Sequence, residues 1–449
     1  MNNSRNMTQG SETGHIIGFT LPLLGGNLLQ QTYNIIDTLI VGRYLGDNAL
    51  AAVGATGSVT YLFYTLCIGL SIGAGVIVSQ LFGSGDNRKM RLAVVNSAIV
   101  TAFFGIAVSI ISVLGAEAVL RMMNVPEHLM SDAAVYMKIA CGGTAAVAAY
   151  NWINAMMRAV GNSKTPLIFL GAASILNAAL DLLFVVVLDL GVAGAAYATV
   201  LAQGLSAASC IIYCFGKGRE IKLSSEDMKA DKSMMLRCIK TGLPLAVQNG
   251  LVSVSMTALQ RVTNGFGDNV MAAYTVSMRI EQFIQQPFAS LSAAVSTFTG
   301  QNIGAGKSDR AVKGLRSALK ISTVFAFAVL VLFAVFGRKL TACFVSGDNV
   351  IYIASRGIVM TGVFYWALGI IHTVRGFLNG AGDTGYALVN GAVEVICRIG
   401  FAPVLTAISS VGFWGIWLTT ALTWFITAAF SLIRYKSGKW KNKAAASDL

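Results

Sequence analysis

The stretch HIIGFTLPLLGGNLLQQTYNIIDTLIVGRY, residues 15–44, is apolar for most of its length and carries one acid, Asp37. At about 1.5 Å of rise per residue, a helix of this length crosses a bilayer. An ionisable group inside a span costs about 3 kcal/mol on insertion scales, so its default reading is functional. Pro22, fifteen residues earlier, predicts a helix kink, because proline removes one backbone hydrogen bond. Asp37 falls roughly 30 Å along the helix from Ile16, in the half of the membrane remote from the N-terminus. The competing reading is a carboxylate at a helix end that touches lipid headgroups. What the rest of the chain offers Asp37 decides between the two.

The 449-residue chain is 55% hydrophobic and 12% charged, which places it among polytopic membrane proteins. The first fourteen residues are polar, and no short apolar segment with a small-residue cleavage site follows. The first span is therefore expected to stay and to act as its own targeting signal. A net charge of +13 would point to nucleic acid in a soluble protein. Here cytoplasmic loops rich in Lys and Arg account for it, and no nucleic-acid partner is expected. None of the seven cysteines has zinc spacing; Cys210 and Cys214 share a helix face and read as small core residues.

Twelve apolar segments follow one another: 16–44, 52–82, 92–115, 133–158, 165–188, 192–215, 238–265, 273–302, 318–337, 351–379, 386–408 and 412–435. They define an N-terminal tail (1–15), a first lobe (16–215), a charged linker (216–237), a second lobe (238–435) and a C-terminal tail (436–449). Placing the N-terminus inside puts most of the 33 Lys and Arg, and both termini, on the cytoplasmic side. The lobes also repeat. At a shift of 221, Gly46-Asp47-Asn48 falls on Gly267-Asp268-Asn269, and Gln80, Gly83 and Gly85 fall on Gln301, Gly304 and Gly306. Gly161, Gly191 and Gly194 fall on Gly382, Gly412 and Gly415. This register predicts an all-α polytopic membrane protein, with twelve transmembrane helices in two six-helix bundles related by pseudo-two-fold symmetry.

Asn177 and Asp181 are four apart in segment five and stack on one helix face. Asp181 lies roughly 24 Å along that helix from Thr165, and Thr199 lies roughly 10 Å below the start of segment six. Asp37, Asp181 and Thr199 thus fall at similar depth. Two buried carboxylates cannot easily both be charged, so the cluster reads as a proton or sodium site. Oxygen ligands suit a hard cation, which leaves Na+ between Asp37 and Asp181 as the one metal-ion alternative. A polar network that only fixes helix packing is the bland reading. In the second lobe, Glu281 and the Glu394/Arg398 pair, four apart, read as structural or gating groups. At the shift of 221, Asn177 maps onto Arg398 and Asp181 onto Ala402, so the coupling site is expected in the first lobe alone. His372 reads as a packed residue. GAGKS at 304–308 lacks the first P-loop glycine, that position being Gln301, and reads as a helix-end turn. Nothing else suggests ATP, no cofactor is expected, and the energy should come from an ion gradient.

The stretches IIDTLIVGRYLGDNALAAVG, SQLFGSGDNRK with its counterpart GQNIGAGKSDR, MRAVGNSKTPL and LGVAGAAYATV resemble multidrug and toxic compound extrusion (MATE) transporters, from about 16 to 435. The resemblance implies a bacterial cell-membrane protein that exports amphipathic, often cationic drugs and toxic organic compounds by alternating access. Export would be coupled to H+ or Na+. It is closer to the DinF-like branch with an N-lobe cation site than to the NorM type. In that branch the site uses a helix-one aspartate, a helix-five Asn-x-x-x-Asp and a helix-six threonine, matched here by Asp37, Asn177, Asp181 and Thr199. Tyr136 resembles the tyrosine of the same network, while Gln30, Tyr33 and Asn154 resemble drug-cleft residues. The NorM type carries a helix-seven glutamate and a helix-ten aspartate, and the corresponding stretches here, 243–260 and 364–380, contain no acid.

Three other functions compete. A flippase for a lipid-linked precursor would favour a strongly basic central cavity, whereas the basic residues here are mostly in loops. An ion channel would favour a symmetric oligomer, whereas the internal repeat favours a self-contained monomer among membrane lipids. A membrane enzyme is not expected, because no HExxH and no paired nucleophile and base are present, and so no catalytic residue is assigned.

Overall fold

The computed structural model describes residues 5–216, 221, 223 and 227–443. The remaining parts of the two tails and of the linker, 1–4, 217–220, 222, 224–226 and 444–449, lie outside the described residues. In hydrocarbon a backbone must satisfy its own hydrogen bonds, and this chain does so with helices, with no strand among the described residues. The helices are α1 (Glu12–Ser84), α2 (Asn87–Met122), α3 (Glu127–Gly142), α4 (Thr144–Ala159), α5 (Lys164–Asp181) and α6 (Gly191–Phe215). They continue as α7 (Lys232–Asn264), α8 (Asp268–Gly304), α9 (Ser308–Ala342), α10 (Asp348–Gly362), α11 (Tyr365–Gly380), α12 (Tyr386–Ala407) and α13 (Gly415–Lys436).

Helix α1 is two spans joined at Gly46, whose φ of 83° and ψ of −179° interrupt the helix. Only glycine adopts that conformation cheaply. The first arm runs to residue 45, and Pro22 lies within it at a point where the dihedrals remain helical. Among the described residues, eight helices are long and apolar enough to cross a membrane, or ten if the bent pairs α3/α4 (43°) and α10/α11 (50°) are each one span. The remaining two sequence segments, 16–44 and 273–302, are also helical, in the first arm of α1 and in α8, and carry more polar groups. The result is two six-helix bundles.

The backbone carries the repeat that the glycines announce. Gly46, Gly85, Gly161 and Gly191 have positive φ, and so do Gly267, Gly306, Gly382 and Gly412, each 221 residues later. The α3/α4 bend recurs at the same spacing in α10/α11.

By packing, the chain forms two units: Met1–Asn6 with Leu21–Ala246, and Met7–Thr20 with Val247–Leu449. These differ from the lobes 16–215 and 238–435 at two short ends. In the first unit, the start of α7 lies against the second arm of α1 through small residues. A Cβ on Gly69 would stand 2.3 Å from the Ala246 nitrogen, and one on Gly73 would stand 2.4 Å from the Gly242 Cα. The end of the linker is fastened there too. Arg91 Nε donates to Asp227 Oδ2 (2.8 Å), Asn96 Nδ2 donates to Lys229 O (3.0 Å), and Asp231 N donates to Asn96 Oδ1 (2.7 Å).

In the second unit, the segment before α1 is held rather than trailing. Met7 and Thr8 are buried, and Met7 N donates to Gln301 Oε1 (2.9 Å). Arg310 donates to Gln9 O (3.0 Å) and Glu12 Oε1 (3.2 Å), and Lys307 Nζ donates to Thr8 O (3.0 Å). The GAGKS stretch is thus the turn between α8 and α9, and its lysine ties down the N-terminal segment. The core of this unit is aromatic, with Tyr365 packed among Phe288, Phe333 and Trp424 at 5.5–6.4 Å between ring centroids.

The glycine contacts give a direct test. Gly73→Val would drive a branched side chain into the α7 backbone, which cannot rotate aside, and should cost about 3 kcal/mol, the upper end for overpacking. Gly57→Ala, where a Cβ meets nothing within 4 Å, should be nearly neutral. Thermal melting of the two purified variants in detergent checks both; equal melting temperatures would refute the close crossing.

Candidate functional site

Asp37 lies on the first arm of α1, about one turn before Ile40 and Val41, which pack with Val185 and Val192. Asp181 is the last residue of α5, and the chain then widens into a π-helix over Leu182–Val187. Such insertions often sit at functional positions, because they redirect a side chain without ending the helix. Asp181 is fully buried and Asn177 nearly so, while Asp37 is half-buried. The two carboxyl groups lie within hydrogen-bonding reach of each other. Asn177 braces the pair: oriented to satisfy its neighbours, its amide donates to Asp181 Oδ2 (2.9 Å) and accepts from Thr199 N (3.1 Å). One oxygen of each acid, Oδ1, is buried with no partner among the described residues. Two acids in this setting are stable with one shared proton, or with a cation between them.

A wall of hydroxyls and amides stands in front of the acids. Tyr33, one turn before Asp37, lines the same small pocket as Thr199 and Gln203. Tyr136 of α3 packs beside the same patch. Beyond the wall is a cavity of about 530 Å³ inside the first unit, lined by Gln30, Tyr33, Tyr136, Asn154, Thr199 and Gln203 among others. Pro22 lines it as well. A smaller pocket of about 20 Å³ touches Tyr33, Asn177, Thr199 and Gln203, and is the size of one water or one unhydrated ion. The structure therefore brings Asp37, Asn177, Asp181, Thr199 and Tyr33 together, and sets Gln30, Tyr136 and Asn154 on the adjoining cavity.

The MatE family model matches residues 22–183 and again 244–404, one match per repeat. The chain belongs to the MatE family. Its members are the MATE transporters, not enzymes, and the chain is a polytopic membrane protein of that kind. Among curated relatives, the probable multidrug resistance protein YpnP of Bacillus subtilis is 28% identical over 97% of this chain and 97% of its own. The probable multidrug resistance protein NorM of Thermotoga maritima is 25% identical over 96% of this chain and 93% of its own. Among solved structures, a MOP-superfamily transporter of Pyrococcus furiosus superposes with a TM-score of 0.91 at 21% identity, covering 97% of this chain and 98% of that one.

The second unit of this MATE chain holds a different polar set. Arg398 is buried and donates to Ser255 Oγ (2.7 Å), and its other end lies 3.8 Å from Glu394 Oε2. Glu281 is buried and accepts from Gln285 Nε2 (3.1 Å). His372 stacks on Phe288, with its Nδ1 3.2 Å from Arg375. At the repeat spacing, Ala258 and Ala402 stand where the first unit has Asp37 and Asp181. The MATE skeleton is thus duplicated and the acid pair is not.

Sequence reading missed three parts of the first-unit site. Gln203, one turn after Thr199, could have been found from that spacing. Arg158, at the end of α4, lines the cavity, and in the sequence it is one basic residue among many near the end of an apolar segment. The π-helix has no sequence signal beyond the aspartate that precedes it.

Because Asp37 and Asp181 destabilise each other when charged, their neutral variants should not be additive. Asp37→Asn and Asp181→Asn should each leave the melting temperature unchanged or raised. The double variant should fall short of the sum by about 1 kcal/mol or more. Additive melting shifts would mean that the two acids do not interact.

Proposed function

We propose that this MATE chain exports amphipathic organic compounds, including drugs, across the bacterial cell membrane in exchange for H+ or Na+, with the coupling site at Asp37 and Asp181. The observation that carries the reading is a buried acid pair, braced by Asn177 and Thr199, directly behind the wall of a cavity large enough for a small organic molecule. The names of the curated relatives support drug export. The acid pair supports the N-lobe branch over the NorM type.

The coupling step is electrostatic. Binding one proton or one monovalent cation takes one charge off the pair, leaving a single negative charge, and removes the repulsion between the first arm of α1 and α5. The arm is then free to bend, with Pro22 as its weakest point because it lacks one backbone hydrogen bond. Pro22, Gln30 and Tyr33 move with the arm, so its bending reshapes the cavity and weakens ligand binding. Ligand and cation then compete through one conformational equilibrium, as antiport requires. Glu281, Glu394 and Arg398 hold the second unit together and carry no coupling ion. The chain works as a monomer, with both termini in the cytoplasm.

Transport in proteoliposomes under an imposed proton or sodium gradient tests this. Asp37→Asn and Asp181→Asn should insert normally and lose gradient-driven export, whereas Glu281→Gln and Glu394→Gln should keep it. Coupling retained in Asp181→Asn and lost in either glutamate variant would move the site to the second unit.

A further inference from the structure

Among the described residues, the lining of the first-unit cavity holds one formally charged side chain, Arg158, and no carboxylate. Asp37 and Asp181 do not line it; Tyr33, Thr199 and Gln203 stand in between. A guanidinium stays charged under all physiological conditions. Arg158 makes none of the ion pairs found among the described residues, and the one ionisable group acting on it is the Tyr150 hydroxyl. Its neighbours on the same face of α4 are Tyr150, Asn151 and Asn154, all in the lining. Asn154 is 6% exposed, and its Oδ1 has no partner among the described residues. Arg158 is half-buried at the cavity wall, and the natural complement of a guanidinium there, with no carboxylate beside it, is an anion that can accept two of its N–H groups. A cationic ligand reaching this end would instead meet like charge with no carboxylate to offset it.

We infer that Arg158 sets the specificity of this cavity, and that the cavity takes amphiphiles bearing a carboxylate or phosphate, whereas the family resemblance implies amphipathic, often cationic drugs. The anionic group docks on Arg158. Asn154 Oδ1 accepts from an N–H or O–H of the same molecule, and the rings of Tyr33, Tyr136 and Tyr150 cover its apolar body. The inference rests on the reading that this cavity holds the transported compound.

The test compares two dyes that share one ring system: a rhodamine with a free carboxylate and its methyl ester. Each is titrated by fluorescence anisotropy onto the full-length protein in phosphatidylcholine nanodiscs. The wild type should bind the carboxylate form about tenfold more tightly than the ester, the size of one charge-assisted hydrogen-bonded contact. Arg158→Gln should close that gap and Arg158→Lys should keep part of it. The wild-type comparison decides the matter even if a variant fails to fold. Adding phosphatidylglycerol identifies the source of the anion: a gap that shrinks means lipid headgroups also occupy Arg158, and a constant gap means the site takes the dye's carboxylate alone. Equal affinities, or tighter binding of the ester, would overturn the inference while leaving gradient-driven export intact. The export reading fails separately, if the wild type moves neither dye against a gradient in liposomes.

Discussion

Two carboxyl groups in hydrogen-bonding reach, inside a membrane, constrain everything around them. Neither finds a basic partner among the described residues, so their charge must be managed by a proton, a cation or geometry. The surrounding residues supply the geometry. Asn177 fixes one acid against the backbone of α6. The π-helix after Asp181 lets α5 present that side chain without ending the span. Tyr33, with Thr199 and Gln203, lines the cavity beside the acids. A site whose protonation states differ in repulsion is bistable by construction, which is the property that a coupling site needs.

Duplication explains the scaffold, and divergence explains the chemistry. Positive-φ glycines recur at one spacing because a turn between helices through positive φ is cheapest for a residue with no Cβ. Those positions are fixed by the backbone and survive in both halves. Polar positions inside a membrane are fixed by charge instead. Replacing Asp181 with its counterpart alanine in the second half removes a buried acid and its insertion cost together. The second half then places Arg398 at the position of Asn177, held by Ser255 and near Glu394. One half thus keeps an uncompensated pair, and the other a network in which opposite charges meet.

Much of this was legible in the chain, for physical reasons that also mark where it stopped. Helical spans follow from hydropathy, and the repeat follows from glycines whose conformation no other residue adopts cheaply. Asp37, Asn177 and Asp181 stood out because an acid in an apolar run is costly and an i, i+4 pair shares a face. The exchange of short ends between the units was not legible. It depends on Gly73 meeting Gly242 and on Met7 bonding to Gln301, contacts between residues far apart in sequence that leave no periodic trace. The position of Arg158 on the cavity was not legible for a related reason. A basic residue after an apolar helix looks like a loop cation, and only the positions of α4 and α5 show that it borders a cavity.

The first arm of α1 is where these constraints combine. Its opening residues pack in one unit, and the rest, from Leu21 onward, pack in the other. Pro22 lies one residue beyond that change of partner, and Asp37 lies fifteen residues further on the same helix. The proline removes a hydrogen bond where the helix changes surroundings, so bending there breaks no bond of the ladder that was not already absent. The aspartate sits where a change of one charge alters how strongly the far end of the arm holds to α5. Gln30 and Tyr33 lie between the two and face the cavity. A single rigid rod would carry any shift of the acid straight to the ligand-lining residues. A rod with a weak point at Pro22 can do so while its N-terminal turn stays anchored by Arg310 and Glu12. The order along the arm is therefore anchor, proline, cavity-lining residues and acid, which is the order of parts that the proposed coupling uses.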